Sequence, residues 1–127
     1  CSFNNRSKFN ELLARSRRLV AAQLNVSADE VALVRNTSEA NNIVNNGLQL
    51  KPGDEILLWD QNHPTNNVAW DVRAARFGLT VNKVSTPRNP ASTAELLDSF
   101  TSQFNARTKV LALTYVSNLS GIKLPIS

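Results

Sequence analysis

The sequence has few of the residues that build disulfide frameworks and metal centres. It contains one cysteine, Cys1, and one histidine, His63. A single cysteine cannot form a disulfide within the chain, and a lone histidine has no second His or Cys to share a metal ion. Glycine is also scarce, and neither a Gly-rich phosphate loop nor a Gly-x-Gly-x-x-Gly fingerprint occurs. Nucleotide binding therefore has no motif in its favour.

Long apolar runs and a leader-like N-terminus are missing as well. No run approaches the roughly 20 apolar residues that cross a bilayer, and no apolar signal core is visible. From these absences we expect a cytoplasmic protein that has no membrane partner. The chain does not begin with Met, and we expect an upstream portion to be missing.

Charge is moderate and is arranged like that of a folded domain. Charged residues make up 19% of the chain, which is low for a disordered tail, and the 42% hydrophobic content is enough for a core. The net charge is +4, and Arg15, Arg17 and Arg18 lie in one helical segment. No aromatic residues are interleaved with the basic ones, so the pattern indicates a solvated helix face and not a nucleic-acid partner.

Helical and strand-like patterns alternate along the chain. An apolar stripe at spacings of three and four marks the first helix, Ser27 and Glu30 form a capping-box pattern, and Gly78 is placed to end a helix. Ser92 is a candidate cap for the last helix, with Leu96, Leu97 and Phe100 on its inner face. Helices are predicted at about 7–24, 38–48, 66–77 and 92–104, and strands at about 31–34, 55–59, 79–84 and 109–116.

This alternation predicts an α/β fold with a mainly parallel sheet and right-handed crossovers. The strands read as apolar runs without strict alternation, which is typical of strands covered on both faces. We therefore expect a three-layer α/β/α sandwich. Ligands of such sheets bind at the carboxyl ends of the strands, where polar loops at 35–38, 60–65 and 117–121 should meet.

Four residues in these loops are candidate binding groups. Thr37 and Ser38 open a predicted helix, where free N–H groups favour an anion such as phosphate, although an ordinary cap needs no ligand. His63 is either a surface residue or a group that stacks on a flat ring or moves a proton. Asn118 is either a turn residue or a neutral donor to a ligand. Arg35 has two candidate partners, a bound anion and a neighbouring acidic side chain, and the sequence favours neither.

Four segments together resemble the class V aminotransferases. Residues 34–42, Val-Arg-Asn-Thr-Ser-Glu-Ala-Asn-Asn, are similar to the Thr-Glu-Ala-Ile-Asn type segment of that family, and residues 48–56 to the turn and strand that follow it. Residues 62–70 resemble its His-x-Ser-Asn-x-x-Pro-Trp segment. Residues 107–121 resemble its Thr-Lys-Leu-Val and His-Val-Ser-Asn-x-x-Gly segments. The pieces occur in the family's order over most of the chain.

The resemblance implies a fold-type-I enzyme dependent on pyridoxal 5′-phosphate, a group that includes cysteine desulfurases, selenocysteine lyases, kynureninases and isopenicillin-N-epimerase-like proteins. It implies that Thr37 and Ser38 bind the cofactor phosphate, that His63 stacks on the pyridine ring and that Asn118 hydrogen-bonds the ring hydroxyl. It also implies an amino-acid substrate and a homodimer.

The sequence departs from the family pattern in two ways. Pro64 and Ala69 replace commoner residues around His63. The family's cofactor-linking lysine and the Asp that pairs with the pyridine nitrogen lie further downstream, and none of the chain's five lysines is in the matching context: Lys8, Lys51, Lys83, Lys109 and Lys123.

Residues 1–127 are therefore interpreted as the N-terminal portion of the large domain of such an enzyme, with an N-terminal helix at about 1–26 and strand–helix units at 27–127. The remainder of the enzyme chain is then the partner that supplies the linking lysine. No catalytic residue is assigned, and the chain alone is expected to be inactive. Two alternatives stay open: a non-catalytic α/β protein that keeps the fold, and a Rossmann-like nucleotide-binding module.

Overall fold

The computed structural model describes residues 3–125, with side chains from residue 5 onward. The chain divides into two compact units, one ending at Thr37 and the other beginning at Ser38. In the first unit, helix α1 spans Phe3–Leu24, and a single 3-10 turn spans Ala28–Glu30. The helix thus starts earlier than its apolar periodicity predicted.

The predicted capping box is confirmed in the first unit. The Ser27 hydroxyl accepts from the Asp29 N–H at 3.3 Å, and the Ser27 N–H donates to a Glu30 carboxylate oxygen at 2.8 Å. The predicted apolar stripe of α1 is exposed, with Phe9 at 60% and Leu12 at 61%. Periodicity gives the side of a helix on which apolar residues lie, but not what covers them.

The strand predicted at 31–34 is wrong. Residues 31–34 do not form a strand, and Leu33 and Val34 are exposed. A strand exists only when a neighbour supplies the other half of its hydrogen-bond ladder. Within residues 3–125, the three strands of the sheet pair with one another and none pairs with this segment.

The second unit contains the sheet. Helix α2 spans Thr37–Gly47 and thus begins at the last residue of the first unit. Strands and helices then alternate: β1 Glu55–Trp59, α3 Pro64–Phe77, β2 Thr80–Val84, α4 Thr93–Thr101 and β3 Thr108–Ala112. The strand order is β2-β1-β3, and both pairings are parallel, as predicted. Every residue of central β1 is buried.

Apolar clusters cover both faces of the sheet. On one face, Ile56 and Leu58 of β1 pack with Trp70 and Ala74 of α3. On the other face, Leu57 and Trp59 pack with Phe100 of α4, and the rings of Trp59 and Phe100 meet edge to face, with centroids 6.3 Å apart. Successive residues of a strand point to opposite faces, so the four apolar residues at 56–59 contribute to both layers. The predicted α/β/α layering is thus confirmed in this unit.

Local signals placed most element ends correctly. Gly78 adopts a left-handed conformation at the end of α3, and the Ser92 hydroxyl caps α4 by accepting from the Glu95 N–H at 3.2 Å. Some details differ from prediction: α3 begins at Pro64 instead of about 66, and α4 ends at Thr101 instead of about 104. Leu97 is 48% exposed instead of facing inward, and β3 ends at Ala112 instead of continuing to 116. None of the helices among residues 3–125 has the length and apolarity of a membrane span.

Candidate functional site

Loops leave the carboxyl ends of β1 and β3 at one edge of the sheet. Because both strands run parallel, the segment after Trp59 and the segment after Ala112 emerge on the same side. The first segment carries His63 and the second carries Asn118. These are the two predicted ring-binding residues that lie within the second unit.

His63 caps helix α3 with its side chain. Its Nδ1 accepts from the Thr65 N–H at 3.3 Å and lies 2.8 Å from the Thr65 hydroxyl oxygen, while Pro64 occupies the first turn, where its missing N–H is not needed. With Nδ1 acting as the cap acceptor, the neutral imidazole carries its proton on Nε2. His63 is exposed, so it is accessible to a ligand.

Asn118 lies in a tight turn after β3. An isolated antiparallel bridge joins Val116 to Lys123, and the Gly121 N–H donates to the Ser117 carbonyl at 2.9 Å. Gly121 has a φ of 74°, a conformation in which a side chain would be strained. The side chain of Asn118 is exposed at the tip of this turn, where it is available to a ligand.

Side-chain hydrogen bonds link the two loops directly. The buried Ser117 hydroxyl donates to the Gln61 carbonyl at 3.0 Å, and the Ser120 hydroxyl donates to the Gln61 side-chain oxygen. The Gln61 amide in turn donates to the Thr86 hydroxyl at 3.0 Å, which also accepts from the Trp59 indole at 2.9 Å. The His63 loop and the Asn118 loop are therefore held together at the sheet edge.

A cleft of about 470 Å³ opens at this edge beside the linked loops. It presents one cation and one carboxylate among mainly polar groups, and its lining residues are Asp60, Gln61, Thr86, Arg88, Leu119 and Ser120. A small polar molecule therefore has space next to the loops that carry His63 and Asn118.

Thr37 and Ser38 open helix α2, as predicted, and both are exposed. Thr37 is the last residue of the first unit and Ser38 the first of the second. Their predicted role in phosphate binding stays a prediction.

Sequence reasoning missed three residues that shape the His63 and Asn118 loops, namely Asn62, Thr65 and Ser117. Asparagine, threonine and serine are common in polar loops, so residue type alone did not distinguish these three. For Asn62 and Thr65, the one signal in the sequence was that they lie within two residues of His63.

Comparison with known proteins identifies the family. The sequence pattern of the family described as Aminotransferase class-V matches residues 2–127. The chain belongs to this family. Cysteine desulfurases of Escherichia coli and Klebsiella pneumoniae are 34% and 36% identical over 104 residues, which is 80% of this chain. The chain spans about a quarter of the length of these relatives, since the match covers 25% of each.

Solved enzyme structures have the same fold over nearly the whole of this chain. The cystine C-S lyase C-DES, in complex with cysteine persulfide, matches 98% of this chain and 32% of its own, with a TM-score of 0.85 and 27% identity. A C-DES variant with glycine covalently linked to its pyridoxal phosphate cofactor has a TM-score of 0.83. The cysteine desulfurase CsdA of Escherichia coli matches with a TM-score of 0.79 and 26% identity. The family, its fold type and its pyridoxal phosphate chemistry, all implied by the resemblance, are thus confirmed.

Proposed function

We propose that this chain is part of a pyridoxal-phosphate-dependent enzyme acting on an amino acid, and that it supplies groups that hold the phosphate and the ring of the cofactor. One observation supports this most directly. His63 and Asn118 lie on loops that Gln61 and Ser117 link at the carboxyl edge of a parallel sheet, the edge at which such sheets bind ligands. Family membership identifies the ligand class.

The exposed groups of the chain fit this cofactor. Thr37 and Ser38 place two hydroxyls in the first turn of an 11-residue helix, where the helix dipole and free N–H groups favour a phosphate. The His63 ring is exposed and is fixed by its cap, so its face suits an aromatic ring. Asn118 is a neutral donor for a ring hydroxyl. The chemistry that the cofactor supplies when bound is an electron sink for the substrate's α-carbon.

The activities of the similar proteins favour one branch of the family. The Escherichia coli and Klebsiella pneumoniae relatives are cysteine desulfurases, and the C-DES lyase has cysteine persulfide as its reaction product. We therefore infer that the substrate is a sulfur-containing amino acid. The same proposal includes a homodimer. It also includes a cofactor-linking lysine that lies in the remainder of the enzyme chain.

The phosphate site is tested by changing Thr37 and Ser38 together to alanine in the protein expressed from its complete natural gene. Each hydroxyl bond to a charged group contributes about 1.5–3 kcal/mol, so the dissociation constant of pyridoxal phosphate should rise at least about tenfold. Equilibrium dialysis measures it. Unchanged retention of the cofactor would reject the assignment.

The matched control changes the other adjacent Thr-Ser pair, Thr101 and Ser102, to alanine. This pair is also exposed but lies at the carboxyl end of α4, where the helix dipole disfavours an anion. We expect its cofactor dissociation constant to equal that of the wild type, so that any effect of the first pair reflects its position and not the loss of two hydroxyls.

A further inference from the structure

Asn62, the residue before His63, is 1% exposed, and both of its donor hydrogens are used. Its side-chain nitrogen donates to the Ala112 carbonyl at 2.9 Å and to the Asn67 side-chain oxygen at 3.1 Å. Its side-chain oxygen accepts from the Thr114 N–H at 2.8 Å. A primary amide has two N–H donors, so Asn62 leaves no donor unpaired and has one defined orientation.

The partners of Asn62 lie on β3, on the segment that follows β3 and on α3. Ala112 ends β3 and Thr114 follows it, while Asn67 lies in α3. The Asn67 side chain then donates to the carbonyl of Trp59, the last residue of β1, at 3.1 Å. A chain of amide hydrogen bonds therefore runs from the end of β3, through Asn62 and Asn67, to the end of β1.

This chain of hydrogen bonds fixes the backbone from which His63 projects. His63 is bonded covalently to Asn62, and its ring is held on the other side by Thr65 in the first turn of α3. Asn67 lies in the same helix two residues beyond Thr65. The histidine is therefore held between a buried amide and a helix start, although its own ring is exposed.

We propose that Asn62 is a positioning residue, which orients the His63 ring for the cofactor without touching the cofactor itself. The proposal rests on the proposed function, since it takes the pyridine ring as the group that His63 faces. Only an amide fits the surroundings of Asn62, because two acceptor oxygens and one N–H converge on it. An aspartate of the same shape would lack both donors and would place a buried charge against the carbonyl of Ala112.

The test compares Asn62→Asp with Asn46→Asp in the protein expressed from its complete natural gene. Both changes add one negative charge and remove one side-chain amide. Asn46 is exposed on α2, where its amide donates to the Asn42 carbonyl at 2.9 Å. The first readout needs no cofactor: nitrogen-15 NMR of the single histidine reports whether Nδ1 is still the cap acceptor. The second readout is the dissociation constant of pyridoxal phosphate.

We expect Asn62→Asp to shift the His63 ring signals toward those of an uncapped imidazole and to raise the dissociation constant at least tenfold, while Asn46→Asp changes neither. A lower melting temperature with unchanged ring signals in the folded protein would mean a purely structural role and would overturn the proposal. If Asn62→Asp does not fold, Asn67→Ala replaces it; this change removes one of the three hydrogen bonds of Asn62 and also the Asn67 bond to the Trp59 carbonyl. It should give a smaller shift of the ring signals in the same direction, and the absence of a shift would overturn the proposal.

The two readouts separate this inference from the proposed function. If the wild-type protein binds no pyridoxal phosphate, the proposed function fails, and the ring signals still show whether Asn62 orients His63. If the cofactor binds wild type and Asn62→Asp equally well, the proposed function stands and the role of Asn62 is rejected.

Discussion

The Ser117 hydroxyl donates to the carbonyl of Gln61 at 3.0 Å, across 56 residues of sequence. The same oxygen accepts the N–H groups of Leu119 and Ser120 at 3.1 and 3.3 Å. One buried hydroxyl thus holds the tight turn of Asn118 and joins it to the loop of His63. The relative position of the two loops that carry His63 and Asn118 therefore depends on Ser117, which is itself buried.

Replacing Ser117 by alanine should lower the free energy of unfolding by about 1–3 kcal/mol. The change leaves a buried carbonyl without its donor and two turn N–H groups without their acceptor. Urea denaturation measures the loss. Ser99→Ala is the control, since its hydroxyl donates to the Glu95 carbonyl within one helix, and we expect it to stay within about 0.5 kcal/mol of wild type. Equal effects of the two substitutions would contradict the linking role of Ser117.

Thr65 should control which nitrogen of His63 carries the proton. Its hydroxyl oxygen lies 2.8 Å from Nδ1, and its N–H points to the same atom. In Thr65→Val, which keeps the shape and loses the hydroxyl, we expect more of the neutral tautomer with its proton on Nδ1, because that nitrogen loses one donor. Thr65→Ser should restore the wild-type ratio. Nitrogen-15 NMR of the ring measures it, and a valine variant identical to wild type would rule the hydroxyl out.

Two glycine substitutions should differ in their effects on stability. Gly78 has a φ of 66° at the end of α3, so alanine there is strained and should lower the free energy of unfolding by about 1–2 kcal/mol. Gly47 is the last residue of helix α2, and a Cβ there would meet nothing within 4 Å. Gly47→Ala should therefore be neutral or stabilising, by up to about 1 kcal/mol. Thermal denaturation compares the two, and destabilisation by both would show that backbone conformation is not the cause.

Signals that act within a few residues made most of the fold predictable. The run Glu55–Trp59 is apolar after its first residue and was predicted with the correct bounds. Ser92 and Gly78 mark helix ends through hydrogen bonds and backbone angles that involve only their neighbours. The positions of His63 and Asn118 at one sheet edge followed from the order of strands and helices, since parallel strands place their carboxyl ends together.

The sequence by itself determined the alternation of strands and helices, their caps and the loops that carry His63 and Asn118, because each of these depends on residues close together in the chain. Only the tertiary structure decided that residues 31–34 form no strand and that Asn62 and Ser117 link the two loops. A strand needs a neighbouring strand to complete its hydrogen bonds, and the Asn62 and Ser117 hydrogen bonds span more than 50 residues. Both depend on which distant parts of the backbone come together in space. Residue type alone does not specify that meeting, because an asparagine or serine in a loop looks the same in sequence whether it faces water or a buried carbonyl.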